Sequence, residues 1–186
     1  MGKKNSIFTM VLAAMFLALA FVMPFLTGQI PEIGSMLLPM HLPVLLCGFV
    51  CGWPYGLAVG FITPLLRSLL FGIPPMFPKA VAMAFELAGY GCLAGLLFRI
   101  LPLKNIFRIY LSLLSAMLGG RIIYGLVCIP LMGIANVPYS FEIFFASTVI
   151  EALPGIILQL ILIPILLLAL QKANLIDLST KGNYHE

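Results

Sequence analysis

Six ionisable side chains stand inside stretches of sequence that are otherwise almost entirely apolar: His41, Arg67, Lys79, Glu86, Arg121 and Glu151. Their types suit two kinds of chemistry. A carboxylate and a guanidinium can pair with each other, and a cluster of cations can hold the anionic group of a small solute, because Arg offers a planar fork that matches a carboxylate. Which of these applies depends on the surroundings, so the elements that carry the six residues come next.

The chain has 62% hydrophobic residues and 9% charged residues, against about 25% charged in a soluble domain. Its mean hydropathy is +1.17. A chain of 186 residues has no soluble core able to absorb that much apolar surface, which makes this an integral membrane protein. The apolar runs are continuous and of helix-spanning length, unlike the short alternating segments of roughly ten residues in a membrane barrel. The expected class is therefore all-α and polytopic, one membrane domain over residues 1–186.

Six spans are expected, near 7–27, 36–52, 55–71, 78–98, 108–131 and 143–171. The first is long enough to be a retained helix rather than a cleaved signal peptide. Lys3, Lys4, Arg99, Lys104, Arg108, Lys172 and Lys181 fall on one side of these spans. The loops of the other side, around Gly28–Ser35, Gly72–Phe77 and Met132–Glu142, hold no Lys or Arg. By the positive-inside rule, both termini are expected in the cytoplasm, in a multi-pass protein of a bacterial plasma membrane. Small-residue pairs mark close helix approaches: Gly48/Gly52, Gly56/Gly60, Gly91/Gly95 and, on the first helix, Ala14/Ala18. The Ala14/Ala18 pair lies among bulky neighbours and could serve a partner helix as well as an internal one.

Depth follows from the rise of a helix. Counting from the outer ends puts Glu86 roughly 12 Å deep and Arg121 roughly 15 Å deep, with Glu151 at similar depth and Arg67 and His41 about one turn inside. A lone charge at the bilayer centre costs about 2.5–3.5 kcal/mol on insertion scales. Charges at matched depth therefore face one another or a water-filled cavity. Two compatible readings stay open. Arg121 pairs with Glu86 or Glu151 as glue between helices, or Arg67, Lys79, Glu86, Arg121 and His41 line an outward-opening pocket. Phe77, Tyr124 and Tyr139 would supply apolar walls to such a pocket, and Asn136 and Glu151 complete the candidate substrate contacts.

The sequence contains no GxxxxGK[ST], HExxH or GxSxG motif, so it is not expected to hydrolyse ATP or to act as a zinc or serine hydrolase. Cys47, Cys51, Cys92 and Cys128 lie in apolar runs without His or carboxylate at metal-site spacing, and are read as packing residues. No metal, cofactor or nucleic-acid partner is expected. The inverted repeat of broken helices found in many secondary transporters is also missing.

The stretches "MHLPVLLCG" at Met40–Gly48, "PLLRSLLFGIPPMFP" at Pro64–Pro78 and "MAFELAGYG" at Met83–Gly91, with Ala14/Ala18 on the first helix, resemble the substrate-binding S components of energy-coupling factor (ECF) transporters. The likeness is to the Firmicutes group that contains pantothenate-type members. It implies a six-helix fold that binds one vitamin near the extracellular face. It also implies a transmembrane T subunit and two ATPase subunits as partners, with Ala14 and Ala18 at the T-subunit contact. Pantothenate is the expected substrate, because Arg67, Lys79 and Arg121 suit a carboxylated vitamin. Folate, a pyrimidine precursor, a flavin or a corrinoid are the alternatives within the family. A membrane scaffold or assembly subunit, its charges purely structural, is the rival from another class.

Overall fold

The computed structural model describes residues 3–27, 36–103, 105–138, 140–146 and 150–173. Helix α1, Lys3–Val22, runs into a 3₁₀ turn at Met23–Thr27, where Pro24 has no N–H to continue the helix. Helix α2 is His41–Cys51, and α3 is Trp53–Phe71. A wide turn at Met76–Ala80 leads into α4, Val81–Ile100. Then come α5, Asn105–Ile134, the short α6, Phe141–Phe145, and α7, Leu153–Lys172. Among the described residues there is no strand.

Among the described residues, five stretches are long and apolar enough to cross a membrane: Ile7–Phe25, Trp53–Phe71, Met76–Ile100, Ile106–Ile134 and Leu153–Lys172. The remaining expected span, 36–52, is represented by the 11 residues of α2. At 1.5 Å per residue such a helix covers only about 16 Å of a hydrocarbon core about 30 Å thick. Its start is set by the chain before it: Leu38 has a positive φ of 49° and Pro39 follows. Its end is set by Gly52, whose φ of 96° favours glycine. Of the last expected span, 143–171, the described residues include a long helix over its later part. Helix α7 starts at Leu153 with Pro154 in its first turn. Glu151 stands in the turn just ahead of that helix, exposed, its N–H donating to the Ala146 carbonyl at 3.0 Å. The expected loop Gly28–Ser35 and the candidate Tyr139 lie outside the described residues.

Helices α2, α3 and α4 meet backbone against backbone. A Cβ added to Gly48 or Gly56 would strike the carbonyl of Gly91, and one added to Gly60 would strike that of Leu87. Gly95 in turn sits against the carbonyl of Gly48 and the start of α3. Gly48, Gly56, Gly60, Gly91 and Gly95, all members of the glycine pairs legible in the sequence, thus form one shared junction, while Gly52 meets the Arg99 side chain. Around it, Leu42, Leu45, Leu46, Phe49, Tyr90, Phe98, Leu113 and Ile163 build the main apolar core. Helix α4 is the hub, with Glu86, Leu87, Ala88, Tyr90 and Ala94 all buried. Helices α5 and α7 turn large apolar side chains outward, among them Leu118, Ile122, Leu126, Ile157 and Ile161. That is the surface a lipid-facing helix needs.

Candidate functional site

The junction that joins α2 to α4 also fixes where their polar side chains can reach. His41 is the first residue of α2, its N–H donating to the carbonyl of Leu38 at 3.1 Å. Glu86 and Tyr90 stand one turn apart on α4. Opposite them, Gly120 on α5 has no side chain, and the Tyr90 ring fills the place where its Cβ would be. This close approach brings Arg121 against α4.

The result is a buried cluster drawn from three helices. Arg121 Nη1 lies 3.0 Å from Glu86 Oε1, and His41 Nε2 lies 3.6 Å from the same oxygen. The Arg121–Glu86 pair is close but not aligned as a hydrogen bond. The His41 and Tyr90 rings meet edge to face, with centroids 5.0 Å apart. Glu86 is 2% exposed, His41 1% and Tyr90 0%, so the carboxylate is held in a dry setting by two nitrogenous groups. Charge repulsion alone would not permit a second anion here, but Arg121 is only half committed. Its Nη1 faces Glu86; Nε and Nη2, the two nitrogens of its side-on fork, are buried and make no aligned hydrogen bond among the described residues, and the Tyr90 side chain stands close enough to interact with the guanidinium. A guanidinium in that state can still take a planar two-oxygen group.

Arg67 belongs to a different arrangement. It is 2% exposed, and its Nη1 donates to the carbonyl of Phe21 at 3.3 Å. The guanidinium stands 5.6 Å from the Phe25 ring centroid and 5.7 Å from that of Phe71. Phe21 lies in the last turn of α1, where carbonyls have no helical partner and the helix dipole favours a cation. The structure thus brings together His41, Glu86 and Arg121 of the expected site, and ties Arg67 to the end of the first helix.

Residues 8–167 match the family described as ECF transporter, substrate-specific component. The chain belongs to that family. No curated protein and no solved structure gives a match.

As an ECF substrate-specific component, the chain is a transporter subunit and not itself an enzyme. The other candidate residues of this ECF component take the following places. Lys79 is exposed in the turn before α4 and has no ion-pair partner among the described residues. Phe77 is exposed in the same turn, with extended backbone at φ −119° and ψ 134°. Tyr124 is half-buried on α5, one turn beyond Arg121. Asn136 is exposed at a φ of 52°, its N–H donating to the Gly133 carbonyl at 3.3 Å, and it acts as the left-handed residue that stops α5. Ala14 and Ala18 are exposed on α1, which packs inward through Ala13 and Ala20 instead. Sequence reasoning missed Gln159, which is fully buried on α7. Its signal was present: it is the one hydrogen-bonding side chain in the run from Leu153 to Leu170.

Proposed function

We propose that this ECF component captures a small carboxylated vitamin on the extracellular side of a bacterial plasma membrane, pantothenate being the best fit. It would then pass its cargo through a T subunit driven by two ATPase subunits. One observation carries the substrate class: the buried Arg121 fork, held in place by Glu86 through Nη1, with Nε and Nη2 making no aligned hydrogen bond of their own among the described residues. A carboxylate docking there completes the guanidinium without displacing Glu86. His41 and Tyr90 border it, Lys79 adds positive potential at the rim, and Phe77, Tyr124, Asn136, Tyr139 and Glu151 remain candidate contacts. Both termini on the cytoplasmic side agree with the distribution of Lys and Arg. The exposed Ala14 and Ala18 leave a shallow strip on α1 suited to close approach by a T-subunit helix.

A second reading has its own support. Arg67 is spent on the Phe21 carbonyl, as a purely structural cation would be. Extending that role to Arg121 would make the chain a scaffold. Purified full-length protein in nanodiscs separates the two. On the transporter reading, it binds radiolabelled pantothenate, or releases a copurified carboxylate to mass spectrometry, and Arg121→Ala loses the ligand. Absence of any retained or added carboxylate would favour the scaffold.

A further inference from the structure

Gln159 is 0% exposed, and among the described residues neither its amide nitrogen nor its amide oxygen has a hydrogen-bond partner. Its neighbours along α7 fix its level in the molecule. Gly155, Gln159, Ile163 and Leu167 recur every four residues and form the buried face of the helix. Gly155 sits against the carbonyls of Met36 and Leu37, just before α2 begins. Ile163 and Leu167 join the core that contains Leu42, Leu45 and Tyr90. Gln159 therefore lies between those two layers, about 6 Å along α7 from Gly155, at the level of the start of α2. His41 opens α2 at that level, and its ring nitrogens and the Arg121 fork make no aligned hydrogen bond among the described residues either.

A lone amide in a membrane helix ordinarily bonds to a neighbouring helix. None of the described residues answers this one. A buried donor and a buried acceptor left unpaired are unfavourable, and an apolar side chain of the same size would pack more stably. We propose that Gln159 reads the substrate: its carboxamide pairs with a neutral group that offers both an N–H and a carbonyl, as in a secondary amide, a ureido ring or a lactam. This rests on the reading of the cluster as a substrate site, and it narrows that reading. The cargo carries an anion for Arg121 and, at a distance from it, an amide-type group for Gln159. Carboxylates of similar size without an N–H are rejected, because they leave the amide unpaired in a closed site.

The test uses the full-length chain in nanodiscs, with pantothenate, biotin and orotate as probes that carry both groups, and lipoate and octanoate as carboxylates without the N–H. Wild-type protein is expected to bind at least one of the first three at least tenfold more tightly than either of the last two. Gln159→Met is expected to weaken that binding by about tenfold to a hundredfold and to abolish the preference. The same variant is expected to raise the ligand-free melting temperature, since it removes two unpaired buried groups. A lower melting temperature would show that the amide is structural and would overturn the proposal. So would a preference that survives Gln159→Met, equal binding of lipoate or octanoate, or binding of none of the five. Binding of biotin or orotate but not pantothenate would sink the pantothenate assignment and leave the role of Gln159 standing.

Discussion

Glu86 and Arg121, on two helices, meet at 3.0 Å in the interior, and the Nε and Nη2 edge of the guanidinium is buried without an aligned hydrogen bond among the described residues. Each partner compensates the burial of the other, so the two positions respond differently to substitution. Glu86→Gln strands a buried cation and is expected to destabilise the protein by about 3–5 kcal/mol. Arg121→Ala should lose ligand by a similar amount and destabilise as well. Arg121→Lys keeps the charge but not the fork, and should retain more stability than affinity. Thermal melting and ligand binding measured on the same samples check this. Normal binding by all three variants would leave the pair purely structural.

Arg67 holds the carbonyl of Phe21 and sits between two aromatic rings. Arg67→Ala is expected to remove about 1.5–3 kcal/mol from the charge-assisted hydrogen bond, together with the ring contacts. Its signature is loosening of the C-terminal end of α1, read as faster hydrogen exchange at residues 19–25, with a smaller effect on ligand affinity than Arg121→Ala. A larger loss of affinity than that of Arg121→Ala would place Arg67 on the ligand.

Ala14→Trp and Ala18→Trp put bulk on an exposed strip of α1. Ligand binding by the isolated protein should stay within about twofold of wild type, because surface changes away from packed features are usually small in effect. Uptake in cells or in vesicles holding the complete transporter should fall to background. Equal loss of binding would show that the strip is needed within the chain itself.

The glycine junction is expected to be the least tolerant part of the fold. Gly91→Val would drive two methyl groups into the backbone of Gly56 and should cost about 3 kcal/mol or more. Gly133→Ala, with open space around it, should change little. Yields and melting temperatures of the two variants, compared side by side, test the contrast.

Much of this arrangement was legible in the sequence because it follows from fixed helical geometry. The constant rise of a helix put Glu86 and Arg121 at matched depth, and four-residue spacing marked the glycines that touch. The same counting did not give the surroundings of Glu151, which stands exposed in a turn just ahead of the helix that begins at Leu153. Arg67 was grouped with the other cations by charge. Nothing local in the sequence shows that a carbonyl 46 positions away waits for it. Gln159 was overlooked because an uncharged side chain perturbs a hydropathy pattern little, although burial makes its unpaired amide as consequential as a charge.

The glycine junction also has a mechanical consequence. Where backbone lies on backbone, no layer of side chains remains to slide, so α2, α3 and α4 move as one piece. Gly120 binds α5 to that piece through the Tyr90 ring. Helix α7 touches backbone only through Gly155 at one end, against Met36 and Leu37, and is seated farther along by the side chains of Ile163 and Leu167. Beyond that one backbone contact at Gly155, α7 is held through side chains, so it is expected to be the wall that moves first. The helix that would admit the cargo is also the one that carries Gln159, so inspection and admission would occur in a single movement. Spin labels at Leu114 and Leu158 should then show a distance distribution that narrows when ligand binds, while a Leu57–Phe85 pair stays unchanged.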